Sequence, residues 1–304
     1  MSAAGGAEAV GVSPRRVLSE RSAGWVLMGP FLLITLVFVV FPLYRSIVLA
    51  FSQTFGPGAT TWAGMLNFVE VLRDPLFWVA VRNTALFTLG SLFIQLPCSL
   101  LLASILNRPG LKGRAVYRLI MFMPQLVGLV FAAMIGGVFF AKTVGPVNTV
   151  LNGAFGVPLD FPWLDIHVIP SLIVIAMWLY VGFNMVYFLA ALQTVDRSLV
   201  EAAMIDGANP AQRFWHVVIP SIRPVLTFVV LLSFIGSMQL FELPFIMLNG
   251  PGTENRGLTV VMYLYQQGFE QGDLGMASAV GWLLGLGLIG ASAVQVFISR
   301  RETA

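Results

Sequence analysis

The chain has 304 residues, 58% of them hydrophobic and 10% charged, with a net charge of +3 and a mean hydropathy of +0.86. A soluble domain of this length needs far more charge on its surface, so the composition excludes one and leaves an integral membrane protein. The basic surplus calls for no nucleic acid, because Lys and Arg gathered on cytoplasmic loops would produce it.

Residues 1–22 are small, polar and basic, with Arg15, Arg16 and Arg21, and read as a cytoplasmic tail, disordered or lying on the membrane surface. The apolar run from Trp25 to Phe41 is longer than a secretory core and lacks a cleavage site, so it reads as an uncleaved first span. Six spans follow from the pattern, at roughly 25–50, 77–106, 115–140, 168–192, 222–248 and 275–298. None of these runs alternates with a period of two, which sets a β-barrel aside. The expected fold is therefore an all-α integral membrane protein. Residues 23–300 form the six-helix domain, and 301–304 form a short cytoplasmic tail.

Charge sets the orientation. Arg15, Arg16 and Arg21, then Arg108, Lys112, Arg114 and Arg118, then Arg197, Arg213 and Arg223, then Arg300 and Arg301 all fall on one side. Lys and Arg gather on the cytoplasmic side, so both termini are expected there. The loops at 51–76, 141–167 and 249–274 then face outward. Pro42, Pro97, Pro124 and Pro244 fall within the expected spans, where each removes a backbone hydrogen bond and invites a bend. Cys98, the one cysteine, lies in an apolar run as a small buried residue.

The loop between the fourth and fifth spans carries the most information. Ser198-Leu199-Val200-Glu201 has the form of a capping box, and Gly207 supplies a left-handed stop after Ala202, Ala203, Met204 and Ile205. Asn209-Pro210 then starts a second short helix through Phe214, Trp215 and Val218, which Pro220 is expected to end before the fifth span. A short rigid helix with small alanines lets another surface approach closely.

Independent chemistry is hard to find. Gly136 to Thr143 comes within one residue of a phosphate-binding loop, but a glycine is missing before Lys142 and the stretch closes a span. His167 and His216 lack metal-ligand spacing. A membrane enzyme would need a polar catalytic cluster at membrane depth. A secondary transporter or channel would need ionisable groups in several spans, and Glu242 is the only acid well inside an expected span. Asn184 and Tyr187 in the fourth span, with Gln239 and Glu242 in the fifth, are the candidates for lining a solute path, and Trp178 or Tyr180 could stack on a sugar ring.

Glu201-Ala202-Ala203, then Gly207, then Val217-Val218-Ile219-Pro220 resembles the signature loop of inner-membrane permease subunits in binding-protein-dependent ABC importers. Gly29-Pro30, Phe41-Pro42-Leu43-Tyr44, Leu66-Asn67-Phe68, Asp74-Pro75 and Asn83-Thr84 are similar to the sugar-type branch, which includes maltose and glycerol-phosphate permeases. So are Phe241-Glu242, Asn249-Gly250-Pro251, Thr259, Tyr263, Tyr265, Phe269 and Gly275-Met276-Ala277. The resemblance implies a type I importer fold in a prokaryotic inner membrane, with a cytoplasmic coupling helix between helices four and five. Glu201, Ala202, Ala203, Asp206 and Gly207 would then dock into an ATPase subunit. It further implies a second homologous permease, two cytoplasmic ATP-binding subunits that hold ATP and Mg, and an extracytoplasmic solute-binding protein. The chain itself would carry no cofactor, catalytic residue or metal. Its solute would be a sugar, oligosaccharide or glycerol-phosphate-like molecule, with the binding protein seated on the 141–167 and 249–274 loops.

Overall fold

The computed structural model describes residues 20–54, 60–143 and 145–301, so most of the expected N-terminal tail and the last three residues lie outside the described residues. The chain divides into two units, residues 1–48 and 49–304. In the first unit a long helix carries most of the first span, Leu27–Ala50, whose Phe31, Phe38 and Phe41 are exposed as lipid-facing side chains are.

Among the described residues four further helices are long and apolar enough to cross a membrane: Pro75–Leu106, Val168–Gln193, Pro210–Met238 and Leu274–Phe297. The sixth crossing element is not the straight helix expected over 115–140. It is two limbs, Arg114–Val127 and Leu129–Phe139, bent by 95°. The break falls at Gly128, with φ 84° and ψ 153°, and not at Pro124, which sits inside the first limb. Only a residue without a Cβ adopts that backbone at little cost, so the glycine makes the corner. The first limb then packs along the fourth span. A Cβ on Gly182 would collide with the Met121 carbonyl, so the two backbones nearly touch there.

The fifth span also departs from expectation. It begins at Pro210, twelve residues earlier than the pattern suggested, and stops at Met238. Pro220 does not end the preceding helix. Leu36–Val40, Ser91–Gln95 and Phe214–Val218 are π turns, closed by bonds from Phe41 to Leu36, Leu96 to Ser91 and Ile219 to Phe214. Each ends two residues before a proline (Pro42, Pro97 and Pro220). Proline cannot donate and its ring presses on the preceding turn. Widening that turn lets the helix run on unbroken.

After Met238 the chain leaves the helix at Gln239–Phe241 and re-forms as a short helix, Glu242–Met247. Pro244 therefore lies outside the span it was assigned to, and Glu242 sits at a break and not within a crossing helix. The carbonyl of Leu240, freed by the break, accepts the Thr259 hydroxyl at 2.6 Å. Backbone groups at membrane depth must find such partners.

Polar side chains pin the loops at this end of the bundle. Asn67 donates to the carbonyls of Ala50 and Ser52 at 3.0 and 2.8 Å. Asn83 donates to those of Asn255 and Leu258, both at 3.0 Å. Thr54 donates to Asp273 and accepts from the Gly275 amide. Tyr263 donates to Asp74, which also caps the second span through the Leu76 amide. Two strands, Ser52–Thr54 and Thr60–Trp62, pair antiparallel with Ser52 opposite Trp62.

Candidate functional site

Two features lie at opposite ends of one helix. At its far end is a cavity of about 590 Å³. The second span contributes Phe87, Ser91 and Gln95, the last two bounding the π turn. The fourth contributes Tyr180, Phe183 and Asn184. The end of the fifth and the following break contribute Ser233, Gly236, Ser237, Gln239, Phe241 and Glu242. Irregular backbone at this depth is tolerated where it lines a cavity, and both irregular segments do so.

Gln95 is 3% exposed and Asn184 6%. Among the described residues neither side chain has a hydrogen-bond partner within the chain, and both line the cavity. Their amide atoms are not among the buried polar atoms left without a partner, so they open onto the space of the cavity. These two amides are therefore set to bind something that enters, water or solute. Aromatic faces at Tyr180, Phe183 and Phe241 complete a wall suited to a molecule with both hydroxyls and apolar faces.

Of the residues expected to line a path, Asn184, Gln239 and Glu242 come together on this cavity. Tyr187 does not reach it; its ring packs edge-on against Phe183 and Phe228, 5.2 and 6.1 Å between centroids. Trp178 is 41% exposed on the outside of the fourth span, whereas Tyr180 faces in. Ser91, Gln95, Ser233 and Ser237 were missed. Gln95 carried a usable signal, an amide in an apolar run two residues before a proline.

At the other end lies the loop helix Arg197–Ile205. Its cap is not the Ser198–Glu201 box that the sequence suggested. Asp196 takes the position, accepting from the Ser198 amide at 2.9 Å. That bond, and then the Ser198 hydroxyl, hold the Asp196 carboxyl below its ordinary range. The capping box forms one helix later, where Asn209 and Gln212 exchange bonds of 2.9 and 2.8 Å. Between the two helices Gly207 stands at φ 83°, with its amide bonded to Met204 and the next, Ala208, to Ala203. This is a left-handed glycine stop with both reverse bonds in place.

The loop helix buries none of its residues. Leu199 and Met204 are exposed, and Ile205 is 87% exposed. Glu201, Ala202, Asp206 and Gly207 are exposed as well, with Ala203 half-buried. Behind them is a recess of about 390 Å³ lined by Ala203, Asp206, Gly207, Gln212, Arg213 and His216, among others. So large an apolar knob beside a recess, on a helix capped at both ends, is shaped to meet another surface.

The helix that begins at the Asn209 cap is the fifth span, and it runs 29 residues to the cavity's edge. At about 1.5 Å per residue that is a rod of roughly 43 Å. One continuous element thus joins the loop to the Gln239 break, with Glu242 at the start of the next helix.

Known proteins are similar to this chain in sequence and in fold. A family model described as the inner membrane component of binding-protein-dependent transport systems matches residues 75–303. The arabinooligosaccharides transport system permease protein AraP of Halalkalibacterium halodurans is 33% identical over 282 residues, covering 92% of this chain and 89% of that one. The lactose transport system permease protein LacF of Rhizobium radiobacter is 33% identical over 284 residues, covering 92% and 94%. In fold the chain is similar to a bacterial alginate ABC transporter crystallised with an alginate pentasaccharide-bound periplasmic protein. The TM-score is 0.80 at 23% identity, over 95% of this chain and 99% of that one.

Proposed function

This chain belongs to the inner membrane components of binding-protein-dependent transport systems, and we propose that it forms half of the path by which an ATP-driven importer carries a sugar. The observation that carries the mechanism is the unbroken helix from the Asn209 cap to the Gln239 break, with an exposed docking helix at one end and the cavity at the other. A partner nucleotide-binding dimer that closes on ATP would move Glu201, Ala202, Ala203, Asp206 and Gly207 as a rigid body. The fifth span would then rock and change which side of the membrane the cavity opens to.

ATP and Mg belong, in this reading, to two cytoplasmic partner subunits. The stretch nearest to a phosphate loop, Gly136–Phe139, is the end of a helix and not a strand entering such a loop. Both termini and the Arg197–Ile205 loop are cytoplasmic by the distribution of Lys and Arg. A second, homologous permease completes the path. The solute-binding protein seats on the opposite face, where Thr253 donates to Asp165 at 3.1 Å and so joins the 141–167 and 249–274 loops into one surface.

Reconstitution of the complete importer in proteoliposomes tests this. Uptake of labelled arabinotriose or lactose is expected only with ATP inside and binding protein outside. Uptake that persists without either, or that follows an ion gradient, would contradict the importer reading.

A further inference from the structure

The cavity wall is uneven in charge. Among the described residues that line it, serines, amides and aromatic rings are joined by one ionisable acid, Glu242, and by no Lys, Arg or His. The amides of Gln95 and Asn184 offer both donors and acceptors, and the Ser91 and Ser233 hydroxyls add to them, while the Ser237 hydroxyl is already given to the Ser233 carbonyl. A phosphate or a uronic carboxylate that enters this half of the passage would meet the exposed Glu242 carboxylate, and this chain's lining holds no cation to offset it.

We propose that this cavity selects for uncharged polyhydroxylated solutes and rejects anions, with Glu242 as the residue that sets the selection. The proposal rests on the importer reading and narrows its substrate class to neutral glycosides, excluding sugar phosphates and acidic saccharides. A carboxylate is also a good acceptor for two neighbouring hydroxyls of one ring, so Glu242 attracts the favoured class as well as repelling the other. A cleft of one sign concentrates ions of the opposite sign by about 10- to 1,000-fold, which makes the effect measurable without knowing the solute.

The test uses charged thiol reagents on the assembled importer. Cys98 is the only cysteine of this chain, so Cys98→Ala makes this subunit thiol-free, and the importer without an added cysteine gives the background rate from the partner subunits. Gly236 lines the cavity, and a Cβ there meets nothing within 4 Å, so Gly236→Cys places a reporter in open space. Ser233→Cys is a second reporter, should the first disturb the helix. Reaction rates with a cationic and an anionic methanethiosulfonate are each divided by the rate with free thiol. The cationic reagent is expected to win by about tenfold or more, and Glu242→Gln is expected to bring the ratio close to one. Equal rates, an anionic preference, or a ratio indifferent to Glu242→Gln would overturn the proposal.

Mass spectrometry of the molecule retained by the cognate binding protein separates the two readings. A neutral glycoside supports both. A sugar phosphate or uronate sinks the charge selection and leaves the importer intact. A neutral compound that is not a carbohydrate sinks the sugar assignment and leaves the charge selection standing.

Discussion

Tyr263 and Asn83 show how single polar side chains hold the loops against the spans. The Tyr263 ring is buried, and its hydroxyl donates to Asp74 at 2.6 Å. Burial first, then that bond and the Asp74 charge, push the phenol well above the ordinary 10.0. A raised value means that the protonated donor stabilises the folded state below pH 10.0. That stabilisation fades as pH climbs from there through the folded value. Tyr263→Phe should therefore lower stability by about 1–2 kcal/mol near neutrality, and its deficit relative to wild type should shrink above about pH 10. Thermal melts of the purified complex across pH 7 to 12 read this directly. A deficit unchanged at the alkaline end would mean that the hydroxyl is not the donor. Asp74, Asn83, Thr259, Tyr263 and Gly275 were all visible in the sequence as members of a familiar order, yet the order does not say what each one touches. The cavity serines were harder still. A serine in a membrane helix routinely bonds to its own backbone, as Ser99 does to Gln95 and Ser237 to Ser233. Composition cannot tell such a residue from one that faces a solute.

At the scale of elements, apolar length found five of the expected spans, one of them shifted toward the N-terminus, and the bent pair at 114–139, because about 20 residues of hydrocarbon-compatible sequence is a demand that the bilayer imposes on any helix. Breaks were less legible. Proline was the obvious suspect, but Pro42, Pro97 and Pro220 are absorbed by π turns, and Pro124 sits within a straight limb. The two real breaks fall at Gly128 and at Gln239–Phe241, where packing of the Leu129–Phe139 limb against Glu242–Met247 fixes the geometry. The Ser198–Glu201 box failed for a local reason: Asp196, two residues earlier, already caps the helix. The continuous rod from Pro210 to Met238 yields its own prediction. Replacing Val217 and Val218 together by glycine costs about 0.3–0.5 kcal/mol of helix propensity at each position, frees the backbone and softens the π turn. ATP hydrolysis by the importer should survive while solute carried per ATP falls several-fold. An unchanged transport-to-hydrolysis ratio would mean that force does not travel along this helix.

For the whole molecule, the two candidate regions are built from different economies of sequence. The docking loop is local, and its glycine stop and the Asn209-Pro210 start were readable in the sequence, whereas its first cap and the end of its second helix were not. The cavity is assembled from three spans with Leu129 of the bent limb and Val261 of a later short helix, between positions 87 and 261, and only its most polar members stood out. Both depend on the loop helix serving as the handle for a separate ATP-hydrolysing partner. The most direct measurement is therefore Gly207→Asp in the reconstituted importer, read as co-purification of the ATPase subunits and as ATP-driven uptake. Gly207 holds φ 83°, a backbone that costs a residue with a Cβ about 1–2 kcal/mol. The account predicts a chain that inserts normally but loses the ATPase subunits, or keeps them with uptake reduced at least tenfold. Full uptake with a stably bound ATPase in that variant would contradict it.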